Sequence, residues 1–368
     1  MKFSVERASF LEAVSKLQKL VSSKTSLPVL EGILISCESG KITMASYNLE
    51  MGMKKELYAK CEEEGDIVIN ARLLSDILRK MNGVQVEIET DEKLMCHLRC
   101  GEAVFDIMGM AASDFPEMPS LADGTKISIP GEFMVDMVKG TIFAVAQIEG
   151  TRPILTGINF SVNEGVLQMV AIDGYRLAIR RQKVNINENL EFIVAGKAIN
   201  EAVKLIEDVN ENVDIVVGKR LVSFNIDGYL FISRLIEGEF VKFEKIIPSE
   251  CSQKTIISRA EISDTVERIS LLINDNFSTP IRFGFNEEIL TVSCATAIGR
   301  AKENLKINLD GEGFEIGLNS RYLLDVLRNC EQEKILFKFN GANAGVTITP
   351  ADENNNSFLY LIMPMRLK

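Results

Sequence analysis

The sequence predicts an α+β fold made of three copies of one domain, and three observations carry that reading. The first is a helical stretch, Ile69–Met81 (INARLLSDILRKM), which recurs as Val194–Ile206 (VAGKAINEAVKLI) and Leu318–Cys330 (LNSRYLLDVLRNC) at offsets of 125 and 124 residues. A fixed period of this kind marks a repeated structural unit. The second is that most of the remaining chain alternates in hydrophobicity over short runs joined by Gly, Asn and Asp turns. Strands therefore outnumber helices and pair as antiparallel hairpins. The third is length: 368 residues exceed one ordinary domain and divide into three of normal size. The expected boundaries are 1–125, 126–250 and 251–368.

Within each copy of the helix a base is followed four positions on by an acid and three further on by another base: Arg72/Asp76/Arg79, Lys197/Glu201/Lys204 and Arg321/Asp325/Arg328. These positions share one helical face, and the interleaved apolar slots (Leu74/Ile77/Leu78, Ile199/Ala202/Val203, Leu323/Val326/Leu327) share another. The central acid eases repulsion and leaves each charged stripe with one net positive charge. A strand entering a second helix precedes each copy. Phe3–Leu20 puts Phe10, Val14, Leu17 and Val21 on one face, and Ile127–Ala146 and Ile256–Ile273 are its counterparts, with Glu12, Asp136 and Asp264 in one slot. Between the helices, Gly32–Cys37 and Lys41–Ala45 read as a hairpin across Ser39-Gly40, and Asn48–Met53 as a continuing strand. Glu62–Asp66 reads as an acidic hairpin tip, and Val84–Glu89, Lys93–Arg99 and Ala103–Met108 as a meander. The same order follows twice more, with two helices available to cover each sheet.

Hydrophobic residues make up 46% and charged residues 25%, as in an ordinary globular chain. No apolar run reaches the ~18 residues that span a bilayer. The opening MKFSVERASF lacks a long apolar leader core, and seven scattered cysteines suit reduced thiols, so a cytoplasmic location is expected. The net charge of −11 is unevenly spread: the six expected helical segments sum to +4 and the rest carries −15. Such a split can hold an anion to one surface while the exterior stays acidic. Chemistry is sparse. No glycine loop of either common phosphate-binding form is present, and with His97 as the single histidine neither a Ser-His-Asp triad nor a two-histidine metal site can be built. In Cys96-His97-Leu98-Arg99-Cys100 strand alternation points His97 away from both cysteines, so no metal and no cofactor is expected. Asp173-Gly174-Tyr175-Arg176 suits a turn as well as an acid in a cleft. A binding or scaffold protein is favoured over an enzyme acting through Asp173, Tyr175 and Arg176.

Six short stretches carry a family resemblance: Met1–Arg7, Leu27-Pro28-Val29-Leu30, Asn48-Leu49-Glu50-Met51, Ala112-Ser113-Asp114-Phe115-Pro116, Asp173–Leu177 and Met363-Pro364-Met365-Arg366-Leu367. Together they resemble, over the whole chain, the bacterial DNA polymerase sliding clamps, the beta subunits of the replicative polymerase. The resemblance implies a non-catalytic processivity factor, three like domains per chain, closed head to tail as a homodimer around double-stranded DNA. Twelve helices about 10 Å apart would line a hole roughly 27 Å wide. It implies sequence-independent DNA contact through Lys24, Arg72, Arg79, Lys80, Arg152, Lys197 and Lys204, and a dimer junction between Phe105 and Ile107 of one chain and Leu271 and Leu272 of the other. It further implies one pocket for short peptide motifs of the polymerase, the clamp loader and other replication and repair proteins. That pocket is expected from Leu155, Ile172, Gly174, Tyr175, Arg176, Leu177, Val241, Lys245, Ile246, Leu361, Met363 and Met365. Tyr175 stands where the family has Tyr or His, whereas Gly238–Phe243 departs from the family by carrying Val241 and Phe243 where Pro and Tyr are usual.

Overall fold

A computed structural model describes residues 1–21, 25–121, 123–147, 152–273 and 279–367. Among these are six α-helices: α1 Arg7–Leu17, α2 Ala71–Lys80, α3 Gly131–Ile142, α4 Gly196–Val203, α5 Arg259–Ser270 and α6 Ser320–Arg328. Every strand pairing is antiparallel.

The recurring helix starts and stops for local reasons. The Asn70 side chain accepts from the Leu73 amide at 3.0 Å, and Asn319 accepts from Arg321 and Tyr322 at 3.0 and 3.2 Å, so two copies carry an asparagine N-cap. Leu74, Ile77 and Leu78 are buried, as are Ile199, Ala202, Leu323, Val326 and Leu327, while Val203 is half-buried. The bases of each triplet are exposed. Lys204 falls one residue beyond α4, because the Leu205 and Ile206 amides turn back three residues to Ala202 and Val203 and tighten the chain out of the helix.

Two compact units emerge, one of Met1–Met134 with Lys197–Leu235, the other of Val135–Gly196 with Ile236–Lys368. The first holds a five-stranded sheet in the order Lys60–Glu63, Lys2–Glu6, Gln85–Thr90, Met95–Cys100, Ala103–Met108. It also holds an eight-stranded sheet, in which Met51–Tyr58 pairs with Tyr229–Arg234 and so joins four strands from early in the chain to four from residues 125–234. In the second unit Arg176–Lys183 pairs with Phe358–Ile362 in an eight-stranded sheet, and a four-stranded sheet runs Gly299–Lys306, Ile289–Thr296, Ile281–Phe285, Phe314–Leu318. Helix α1 packs beside α2, and α5 beside α6.

Two expectations need correcting. Asn48–Met53 is not one strand: Leu49 adopts φ +73°, the left-handed region, so residues 48–50 turn and the strand begins at Met51. Glu62 and Glu63, read as the start of an acidic tip, instead end an outer strand, Lys60–Glu63, paired with Lys2–Ser4. Its acidic residues need no buried face there.

The repeat reaches the core. In the first unit Val29, Leu30, Tyr47, Val68 and Phe115 form one cluster with Met118 against it. In the second, Ile154, Leu155, Ile172, Ile193, Phe240 and Phe243 pack together. Each residue of the second set stands 125 positions after its counterpart in the first.

Candidate functional site

In the second unit, backbone pairing gathers the residues expected to form a pocket. Ile172 and Leu177 face each other across the 173–176 turn, Leu177 faces Leu361 on the terminal strand, and the Met363 amide donates to the Tyr175 carbonyl at 2.8 Å. Ile172, Leu177 and Leu361 are buried with Phe240 and Phe243, and Leu155 packs half-buried against them. Along this cluster the surface is apolar and open: Tyr175 is 63% exposed, and Ile246 and Met363 are exposed as well. Val241 and Met365 are half-buried and Lys245 is exposed. Phe240 and Phe243 are buried and meet edge to face at 6.5 Å. Phe243 was expected only as a departure from the family within Gly238–Phe243 and Phe240 not at all as a pocket residue, although their three-residue spacing before the short 3₁₀ turn Phe243–Lys245 was the available signal.

The 173–176 turn is held from inside. Asp173 Oδ1 accepts from the amides of Tyr175 and Arg176 at 2.9 and 3.0 Å, and Gly174 supplies φ +92°. A Cβ on Gly174 would meet nothing within 4 Å, so backbone angle rather than crowding calls for glycine here. All three guanidinium nitrogens of Arg176 are engaged. Nε donates to Asp173 at 2.9 Å, Nη1 to Asp325 at 2.6 Å, and Nη2 to the Phe143 carbonyl. The guanidinium also lies 4.3 Å from the Tyr322 ring centre, and that ring stacks on Tyr175 at 6.3 Å. Burial, then the Asp173 charge, raises the Tyr322 phenol above its ordinary value. These side chains wall a cleft of about 560 Å³. Phe143, Tyr322 and Asp325 were not among the expected site residues, and they lie far from Arg176 in sequence.

The basic residues stand on helix surfaces and turns. Arg72, Arg79 and Lys80 are exposed on α2 and Lys197 on α4, while Arg152 is exposed where its carbonyl accepts from Leu155 in the 3₁₀ turn Pro153–Thr156. Arg79 pairs loosely with Asp76 at 3.4 Å, and Lys204 with Glu201 at 2.7 Å. Exposed pairs of this kind contribute little and exchange readily for another anion. Lys24 lies outside the described residues.

Two outer strands complete the picture. Ala103–Met108 is one edge of the five-stranded sheet, with Val104, Phe105 and Met108 exposed and Ile107 half-buried. Gly299–Lys306 is one edge of the four-stranded sheet. Nearby, Leu271 at the end of α5 is 77% exposed and Leu272 half-buried beside Gly299. Unpaired edges flanked by exposed apolar side chains are prone to recruit another strand. No group of His, Cys, Asp and Glu among the described residues is placed to hold a metal ion, and no described helix is long and apolar enough to cross a membrane.

Three family models match in series: the N-terminal domain of DNA polymerase III beta subunit over residues 1–119, its central domain over 128–242 and its C-terminal domain over 244–366. The beta sliding clamp of Bacillus subtilis is 31% identical over 381 aligned positions that cover all of both chains. A crystal structure of the DNA polymerase sliding clamp from Bacillus subtilis superposes with TM-score 0.96 at 29% identity, again over the full length of both. The sliding clamp from Pseudomonas aeruginosa bound to griselimycin superposes with TM-score 0.92 at 27% identity over both full chains.

Proposed function

Because the chain belongs to the DNA polymerase III beta-subunit family, the sliding clamps, we propose that its exposed basic helix faces track duplex DNA while the Tyr175–Met363 surface docks the peptides of partner proteins. The chain is a processivity factor and carries out no catalysis. What supports this reading above all is the coexistence, in one molecule, of a repeated basic stripe and an apolar wall assembled from residues 155–177, 240–246 and 361–365. A tether needs both features: phosphate contacts without base readout, so that it can slide, and one recognition pocket for its cargo. Domain limits near 126 and 251, a head-to-tail dimer and work in the cytoplasm beside the chromosome belong to the same reading. In the pocket, Leu155, Ile172, Leu177 and Leu361 would support an aliphatic or aromatic anchor, and Met363 and Met365 would adapt to different peptides. Arg176, its nitrogens already engaged, would position the Tyr175 turn, and Lys245 would remain for a peptide carboxylate.

The test is retention on DNA. Protein loaded on closed circular duplex should stay through gel filtration and leave once the circle is cut. Neutralising Arg72, Arg79 and Lys197 together should flatten the salt dependence of retention by about 0.9 per lost phosphate contact. Equal loss from circular and linear DNA would refute the tether, and an unchanged salt slope would refute the assignment of these three residues.

A further inference from the structure

Seven cysteines are reduced in this structure, and two of them, one buried and one half-buried, lie on neighbouring strands. Cys37 lies on Gly32–Glu38, an inner strand of the first unit's eight-stranded sheet, opposite Ile42 on one side and Gly65 on the other, and it is 2% exposed. Cys61 lies on the outer strand Lys60–Glu63 of the five-stranded sheet and is half-buried. Its Sγ donates to the Lys41 carbonyl at 3.3 Å, and Lys41 is next to Ile42, the residue that faces Cys37. The two strands lie side by side although they belong to different sheets. We propose that Cys37 and Cys61 form a peroxide-responsive thiol pair, a modification site at which a hydroperoxide converts the two thiols to a disulfide that staples the two sheets of the first unit together.

The roles follow from environment. Burial and the nearby Cys61 thiol push the Cys37 thiol up to about 12, so it stays protonated near neutral pH and cannot strike first. Cys61 reaches solvent and takes the first step: its thiolate attacks one peroxide oxygen, an S–O bond forms, the O–O bond breaks and hydroxide leaves. Cys37 sulfur then attacks the Cys61 sulfenic sulfur, the S–S bond forms and the S–O bond breaks. The departing hydroxide takes the Cys37 proton and becomes water. Both sulfurs are oxidised by one equivalent of peroxide, which is reduced to two waters. A buried resolving thiol on the neighbouring strand favours this second step over further oxidation of Cys61. In a reducing compartment the same bond is reversible by thiol exchange.

The experiment uses the full chain carrying Cys251→Ser, which removes the exposed thiol, treated with hydrogen peroxide, quenched with an alkylating reagent and mapped by peptide mass spectrometry. The expected product is a Cys37–Cys61 linked peptide, lost on adding dithiothreitol. With it, amide exchange across Lys60–Glu63 should slow by at least about tenfold, since opening that outer strand then meets a covalent tie. Cys61→Ser should abolish the product and leave Cys37 unmodified. Cys37→Ser should leave a sulfenic acid at Cys61 that dimedone traps; if that variant does not fold, the linked peptide and Cys61→Ser decide alone. Cys61 proceeding to sulfinic acid with Cys37 still alkylated would overturn the proposal. So would a pair that stays reduced at a peroxide dose that oxidises Cys251 in the parent chain.

Discussion

Arg176→Met is the most telling substitution, because Met51 occupies the same repeat position in the first unit, 125 residues earlier. Arg176 is 10% exposed as a side chain, and its partners Asp173 and Asp325 are 13% and 23% exposed. Methionine fills most of the volume and removes all three charge-assisted bonds. Breaking a buried ion pair by deleting one partner typically costs about 3–5 kcal/mol. Two features lower that here. Asp173 keeps two backbone amides, and Asp325 borders an open cleft through which water reaches it. Loss of the guanidinium stacked on Tyr322 adds back about 1 kcal/mol. A net cost of about 3 kcal/mol follows, or roughly 100-fold at about 1.4 kcal/mol per decade. It should appear as faster amide exchange across Arg176–Lys183 in the full-length protein, with Lys2–Glu6 unchanged. Asp325→Asn in the Arg176→Met background should recover part of the loss, since the Asp325 carboxylate is then no longer left unpaired. A change below about threefold, or two substitutions that simply add, would refute the view that this arginine holds the turn.

Three further outcomes are expected. Gly157→Ala places a Cβ 2.6 Å from the Val194 carbonyl oxygen, where only backbone could yield, and should cost more than about 2 kcal/mol, whereas Gly174→Ala meets open space and should cost about 1 kcal/mol through its φ alone; denaturant midpoints will rank them. Lys16, buried between Glu12 at 3.0 Å and Glu207 at 2.6 Å, holds the Glu12 carboxyl below its ordinary 4.5 by hydrogen bonding. The stability this contributes is present above pH 4.5 and is lost as pH falls through the depressed value, so Lys16→Met should flatten the acid limb of a first-unit stability profile. Leu271→Ala with Leu272→Ala should give a folded monomer by light scattering, with unaltered circular dichroism; a variant that remains dimeric would exclude these leucines from the junction.

Much of this molecule was legible before any coordinates. The recurring helices could be read because a helix facing a sheet repeats its apolar residues every three to four positions, and Leu74, Ile77 and Leu78 are buried as that period requires. The three-domain α+β class followed from the same repeat, and family resemblance supplied Leu155, Ile172, Leu177 and Leu361, which the fold does gather into one cluster. Other features were invisible. The strand Lys60–Glu63 has no alternating pattern, because an outer strand of charged residues is stabilised by main-chain bonds to Lys2–Ser4 and not by a buried face. Leu49 reads as a strand residue, yet its turn is set by the Asn48 side chain accepting from the Glu50 and Met51 amides. Arg176 looked like a group for gripping a peptide. Only the tertiary structure brings Asp325, 149 residues away, and the Phe143 carbonyl to its nitrogens. Periodicity and capping act between near neighbours and are therefore written in the local sequence. The partners of a buried charge depend on which strands pair across the sheet, and strand pairing is a long-range property of the folded chain.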